Sequence, residues 1–554
     1  MIETVCFLSS ITNSNKQRKN DMILQPSEFG STAIALMQAV KEAKYLGDPL
    51  ISIPCGEYHI YADEAAAPVV CASNHGFNGF KSAAIAIEET HGLTVDGNGS
   101  RFILHGKMDF AVIRRSSDIT LRNFSVTCAD TCNFQGRVIR SENGTVEILL
   151  EDAPSLLICG KRLYEEIDGT PVLLTRVLDY MTETSELRRG TGDLCLGATI
   201  HELEKTLDGD RLTLYGVPTP PPVGDTLVFA VSHRCNQAFL ADHSERIAFE
   251  DITVNTCFGM GFLSQKCRDV RIERCTICPE RGRYWSAGQD ATHFVNCSGS
   301  VTVKDCRFSN QLDDAVNLHG IYTVVERVAK DRLLVRYGHF QSRGVDIYAA
   351  GDRIQWLERE TQQPQGSATV AAVEVLNPDL TVLTLQDADG EVREGMIVEN
   401  LSDLVDAHIV GNDMRNNRAR GMLIAAKGTV EIARNTIHTG GAAIQFESDP
   451  IKWLESGGTQ NVIIRENRFA DCKYGAWGQA VIDVEKRRRG VEGFYYHERI
   501  AVCNNEFTQE GVPCVYANSV ADLIFSDNRF VCTEPLRVSH VVLNGETVET
   551  YEKM

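Results

Sequence analysis

One pattern of apolar and polar positions recurs along the chain. Two apolar residues stand at alternate positions, a small or amide residue follows three further on, and another apolar residue lies two beyond. It reads Leu93-Val95-Asn98, Val270-Ile272-Cys275-Ile277 and Val301-Val303-Cys306-Phe308. Later it becomes Ala407-Ile409-Asn412-Met414, Val430-Ile432-Asn435-Ile437, Val462-Ile464-Asn467-Phe469, Ile500-Val502-Asn505-Phe507 and Leu523-Phe525-Asn528-Phe530. Phe124 and Ile252 fill the amide slot in two further segments. Such alternation predicts short strands with one face inward. An Asn ahead of the next strand suits a bend, where it tolerates left-handed backbone or bonds neighbouring main chain.

Successive slots lie about 23 residues apart at their shortest, as from Asn412 to Asn435, which is a solenoid period. Several short strands per coil, stacked coil on coil, predict an all-β fold of the right-handed parallel β-helix type. The number of matching segments disfavours a β-sandwich. Two long gaps, Phe124 to Ile252 and Cys306 to Asn412, hold extended alternation with turn signals. RVIRSENGTVEILLE lies in the first, RLLVRYG and GDRIQWLERE in the second, and both predict inserted small antiparallel β-barrel modules. STAIALMQAVKEA has helical periodicity and is expected to cap the first coil. The expected division is a cap with first coils over 1–135, a β module over 136–235, central coils over 236–320, a second module over 321–402 and closing coils over 403–554.

Composition narrows the class. Hydrophobic content of 43% with 7% aromatics is globular. No apolar run nears the ~20 residues that span a bilayer, so no membrane is expected. Val5 to Leu8 is too short for a signal core, which places the chain as written in the cytoplasm, or in a secreted or periplasmic setting if a leader was trimmed. A net charge of −20 offers no surplus to displace counterions from phosphates and excludes nucleic acid. Against that charge Lys486-Arg487-Arg488-Arg489 reads as a solvated loop. Eighteen cysteines show no zinc-site set, and a chain this long needs no disulfide staples. Cys275 and Cys306 stand in the slot Asn fills elsewhere and read as packed ladder residues; Cys257, Cys472 and Cys532 are expected to do likewise near coil corners. No metal or cofactor is called for.

Candidate chemistry comes from three acids about one coil apart: Asp290 in SAGQDATHF, and Asp313-Asp314 in NQLDDAVNLHG. Cys275 to Cys306 exceeds the basic coil by about eight residues. If ERGRYWSA is the surplus, Asp290 and Asp313 fall into register on rungs ~4.8 Å apart. Asn435 to Asn467 exceeds it by about nine, matching SDPIKWLES, and the second module leaves just after Asn317-Leu318-His319-Gly320. Surplus on one flank walls a pocket. Asp313 and Asp314 can both act only from a strand end or bend, since neighbours on a strand face opposite ways. Crowded carboxylates keep one of their number protonated near neutrality. A protonated acid and an ionised base ~6.5–9.5 Å apart are what hydrolysis of a glycosidic bond with inversion requires. Asp313 is assigned as general acid, and Asp290 or Asp314 as base. Trp453 is the candidate plate for a pyranose. Arg420, Glu447, Asp449 and Glu455 are candidates for hydroxyls. Asn317 and His319 complete the substrate-binding set, with His319 alternatively supporting the acids.

These residues sit in stretches that resemble glycoside hydrolase family 110, the α-1,3-galactosidases of blood-group-B-type and linear structures. The stretches are GEYHIY, LTVDGNGSRFILHG, ITLRNFSV, NTCFGMGFLSQKC through GQDATHF, LDDAVNLHG, RGMLI and DPIKWLESGGTQNVIIRENRF. The resemblance implies a β-helix with small barrel inserts, inversion without a metal, and an acid cluster at Asp290, Asp313 and Asp314. It also puts Trp453 and Glu455 on the substrate side. The expected partner is an oligosaccharide or glycoconjugate ending in α-1,3-galactose, attacked from its end; a homo-oligomer stays open. One rival is a polygalacturonase-like hydrolase, disfavoured because few cations besides Arg420 and the arginines of ERGRY are in sight for uronates. Another is a calcium-dependent pectate lyase. A third, of a different class, is a non-catalytic adhesin or tailspike.

Overall fold

The computed structural model describes residues 21–23, 31–47, 49–76, 78–129, 133–151, 154–167, 169–231, 234–485, 490–531, 535–543, 546–548 and 551–552. The short apolar patch at Val5 to Leu8, the basic run at 486–489 and Cys532 lie outside them. Coils stack in parallel, and each carries strands on three faces of a solenoid. Along one face, for example, Phe262–Gln265 pairs with Thr292–Val295, then Val316–Ile321, Met422–Ile424, Ile444–Phe446 and Ile482–Val484. The alternating apolar residues fill the interior in ladders, as with the stacked rings of Phe239 and Phe262, 4.8 Å apart. The helix Thr32–Ala43 covers the first coils with Ala33, Leu36, Ala39 and Val40, and the side chain of Ser31 caps it by accepting from Ile34 N–H. Among the described residues no helix is long and apolar enough to cross a membrane.

The repeating amide is a continuous hydrogen-bonded ladder. The Nδ2 of Asn435 donates to Ile409 O at 2.8 Å on the previous coil and to Asn467 Oδ1 at 2.9 Å on the next. Asn412, Asn467 and Asn505 do the same on their own coils. The left-handed backbone falls one residue earlier, on Arg434, Glu466 and Asn504, so the slot residue serves the main chain and the residue before it makes the bend. Cys275 and Cys306 are buried in the same column, their thiols reaching Phe249 O and Ile272 O. Cys275 and Cys278 do share CxxC spacing, but Cys275 is sealed in the core while Cys278 is half-buried. In the coil that carries Asp96 the slot moves: Ser100, not Asn98, pairs with Phe124, because a bulge between Asp96 and Ser100 shifts the register.

Both inserts are antiparallel. The first is a nine-stranded sheet; the second closes as a six-stranded barrel. Leu178, Tyr180, Leu187 and Val228 of the first seat on Trp285, Leu312 and Tyr474 of the solenoid. Trp285 belongs to the surplus loop ERGRYWSA. The barrel seats Val335, Tyr337 and Ile347 over Leu240, Leu263 and Val295, which point outward from the face traced above. That face is therefore left with a recess between two anchored walls.

Candidate active site

Register decides which acids meet. Because Thr292 pairs with Val316 and Val316 with Met422, the positions two residues earlier are also aligned. Asp290, Asp314 and Arg420 therefore share one position on three consecutive rungs. Asp290 is in step with Asp314 rather than with Asp313, and Asp314 N–H donates to Asp290 Oδ1 at 2.9 Å. Asp313 is brought in by the bend before Val316. Gly288 and Gly421 permit the close stacking here: a Cβ on either would stand 2.4 Å from a carbonyl oxygen of the neighbouring rung, Phe258 O or Ala443 O.

The three acids offer carboxylate oxygens within 4.8 Å of one another. Each of their six oxygens has a nitrogen partner. Asp290 Oδ2 lies 2.7 Å from His293 Nδ1. Asp313 is clamped on both sides, with Arg418 Nη1 at 3.1 Å from Oδ1 and Arg234 Nη2 at 3.3 Å from Oδ2. Asp314 takes three bonds from Arg420: backbone N–H at 3.0 Å, Nε at 2.9 Å and Nη2 at 2.7 Å.

These contacts split the acids electrostatically. Burial alone would raise Asp313, but Arg418, Arg234, Arg420 and Arg176 outweigh it and hold the carboxyl below its ordinary range. Among the described residues Asp290 has no Lys or Arg in contact; burial, then the charge of Asp313, pushes it up to about 7. Burial and the two neighbouring acids also push Asp314 up, to about 7. Against them stands Arg420, whose bidentate fork matches an ionised carboxylate and would itself be stranded by a neutral partner. We take Asp314 as ionised at neutral pH and Asp290 as the proton holder.

The cavity around the acids has a volume of about 470 Å³. Arg176 and Asp193 enter from the first insert, Phe340 and Gln341 from the second, and Asn74 from the first coils. Two tryptophans flank Asp313 through its clamps. The guanidinium of Arg234 lies 5.4 Å from the Trp453 ring centre, and that of Arg418 lies 5.2 Å from Trp477.

The candidate substrate residues divide. Asn317, Glu447, Trp453 and Glu455 line the cavity, and Asn317 Oδ1 is buried with no bonded partner among the described residues. Arg420 also faces it, but its guanidinium is committed to Asp314. Asp449 lines the wall while its carboxylate accepts from Ile451, Lys452 and Trp453 N–H at 2.9, 2.9 and 3.2 Å, so it shapes the Trp453 turn. His319 does not line the cavity. It sits behind the acids, with Nε2 at 3.0 Å from His293 Nε2. The arginines of ERGRY also lie outside, whereas Arg176, Arg234, Arg418, Arg420 and Lys452 line the cavity. The expectation of few cations is thus overturned. Arg418 was legible two residues before Arg420 in NNRARGM; Arg176 and Arg234 come from the insert and its exit, which the repeat does not place.

Fold and site together define a class: a right-handed parallel β-helix bearing a walled pocket of acids clamped by arginines. Residues 394–549 match the family model described as a right handed beta helix region, and residues 332–395 match the GLAA-B beta-barrel domain II. Over 96% of its length the chain is 28% identical to a protein named alpha-1,3-galactosidase A of Shewanella woodyi, covering 89% of that protein. It is 27% identical to an alpha-1,3-galactosidase B of Bacteroides thetaiotaomicron, over 98% of this chain and 90% of that one. The resemblance to glycoside hydrolase family 110 seen in the motifs holds along the chain in these relatives. An exopolygalacturonase of Thermotoga maritima superposes at a TM-score of 0.36 with 8% identity, over 98% of this chain and 95% of its own, too loosely to carry an argument.

Proposed function

We propose that this chain is an exo-acting glycoside hydrolase that removes terminal α-1,3-linked galactose from oligosaccharides with inversion at the anomeric carbon. The observation that carries this is the convergence of Asp290, Asp313 and Asp314 in one cavity. It occurs in a chain similar nearly end to end to proteins named alpha-1,3-galactosidase. Walls on both sides suit the end of a glycan. Trp453 offers the apolar plate, and Asn317, Glu447 and Glu455 offer hydroxyl partners.

The electrostatics exchange the roles read from the sequence. Asp290 gives its proton to the glycosidic oxygen as the bond to C1 breaks. A water attacks C1 from the opposite side, and its proton goes to an ionised carboxylate, Asp313 or Asp314; solvent then resets both groups. The inverting reading rests on the resemblance to glycoside hydrolase family 110, since the nitrogen contacts to the carboxylates temper them as bases and as nucleophiles alike. Oxygens within 4.8 Å support the rival reading, a retaining mechanism, since that geometry ordinarily brings its two carboxyls to ~5–5.5 Å.

A neutral hexose remains the better substrate than a uronide, for a new reason. Three of the five cations lining the cavity, Arg234, Arg418 and Arg420, are each tied to an acid, and Glu447, Asp449 and Glu455 on the facing wall repel a carboxylate. The same three guanidinium groups oppose a cation among the acids, so the cluster is a poor fit for calcium. The test is galactose release from α-1,3-, α-1,4- and α-1,6-linked digalactosides and from digalacturonate. Release from the α-1,3 substrate alone is expected. No release from it by folded protein would leave the binding-module reading in place.

A further inference from the structure

Behind the acids runs a chain of contacts that the reaction above does not use. His319 Nδ1 lies 2.7 Å from Gly320 O, His319 Nε2 lies 3.0 Å from His293 Nε2, and His293 Nδ1 lies 2.7 Å from Asp290 Oδ2. Both imidazoles are buried, His293 completely. The direction of this chain follows from its anchor. A carbonyl oxygen only accepts, so His319 carries its hydrogen on Nδ1 and, when neutral, presents a bare Nε2. The short contact between the two Nε2 atoms then needs one hydrogen, which His293 supplies. A neutral His293 with its hydrogen on Nε2 turns a bare Nδ1 towards Asp290. Only the protonated carboxyl can donate into it.

We propose that His293 is a positioning residue: its Nδ1 accepts a hydrogen bond from the protonated Asp290 carboxyl and keeps the proton on that acid, so that the cluster meets the substrate with one transferable proton. This rests on the reading of Asp290 as proton donor. Burial, with His319 next in effect, holds His293 well below the usual imidazole range, in keeping with a neutral ring. The charged groups facing the pair are Asp290, Asp313, Arg234 and Glu455, the last 3.6 Å from His319 Nε2. Asn317 adjoins His293 on the next rung. As the glycosidic oxygen approaches, the Asp290 hydroxyl turns from His293 to it, so the proton leaves with the aglycone and His293 stays neutral.

The direct test is nitrogen NMR of labelled wild-type protein between pH 5.5 and 7, with carbon NMR of the Asp290 carboxyl. His293 as the Nε2–H tautomer beside a protonated Asp290 is expected; an Nδ1–H ring or an imidazolium facing an ionised Asp290 overturns the proposal. A kinetic test uses His293→Leu and His293→Gln, their fold checked by circular dichroism. His293→Leu is expected to lose ten-fold or more in kcat on an α-1,3-digalactoside, yet three-fold or less on 2,4-dinitrophenyl α-galactoside, whose leaving group needs no proton. His293→Gln, which keeps an acceptor, should recover part of the loss. Equal loss on both substrates would mean a merely structural role. Wild type inactive on both would instead sink the hydrolase reading, while the tautomer experiment still decides this one.

Discussion

Asp314 and Arg420 occupy the same position on consecutive rungs, and their ion pair runs along the solenoid axis. The pair is therefore made by stacking and does not depend on the inserts. It also sets the ionisation of one carboxylate by a distance that the backbone fixes.

Removing that partner should move the pH profile. Without its cation Asp314 loses what opposes burial, so its pKa rises and the ionised form needs a higher pH. Arg420→Met is expected to shift the low-pH limb of kcat/KM upward by about 1–3 units. An unmoved limb would show that Asp314 does not limit the reaction there.

Proton donor and base separate by leaving group. Asp290→Asn should lose about 10²–10⁴-fold on an α-1,3-digalactoside and much less on 2,4-dinitrophenyl α-galactoside. Asp313→Asn is expected to abolish turnover of both while galactoside binding by calorimetry persists. The reverse pattern would return the acid to Asp313.

The stereochemistry is read from the first product. Proton NMR of early turnover should show β-galactose appearing from an α-linked substrate, with α-galactose following by mutarotation. α-Galactose first would establish retention.

Holding a proton on Asp290 bears on stability. Its folded pKa of about 7 lies above the 3.8 of a free aspartate, so between those values the unfolded chain releases a proton that the folded chain keeps. This contribution is full below about pH 4 and is lost as pH rises through 7. Asp290→Asn mimics the protonated form, so its melting midpoint should exceed that of wild type at pH 7.5 and converge with it at pH 4. A constant difference would contradict the shift.

The amide ladder gives a structural prediction. Asn435→Ala leaves Ile409 O and Asn412 N–H without their side-chain partners and should cost about 1–3 kcal/mol for each group left unpaired. Asn435→Cys should cost less, since Cys275 and Cys306 fill equivalent slots. Urea midpoints compare the two.

The solenoid was legible because the coils repeat the same alternation and, from Asn412 on, the same Asn, and Asn435 and Asn467 do in space what their spacing implies. The bulge at Asp96–Ser100 was not, because one irregular coil leaves no trace in an average period. The acids were found from their spacing, but pairing Asp290 with Asp313 missed the alignment by one residue, an error that a coil with a loop of unfixed exit invites. Arg176 and Arg234 were invisible. Their approach to Asp313 depends on how an inserted sheet seats on Trp285 and Leu312, a packing outcome with no periodic signature.

The alignment of Asp290, Asp314 and Arg420 also bears on how such a chain can change length over evolutionary time. Whole coils added near either end would lengthen the spindle and leave the chemistry untouched. A single coil gained or lost between Asp290 and Arg420 would part the acid from its cation, so that stretch is closed to duplication.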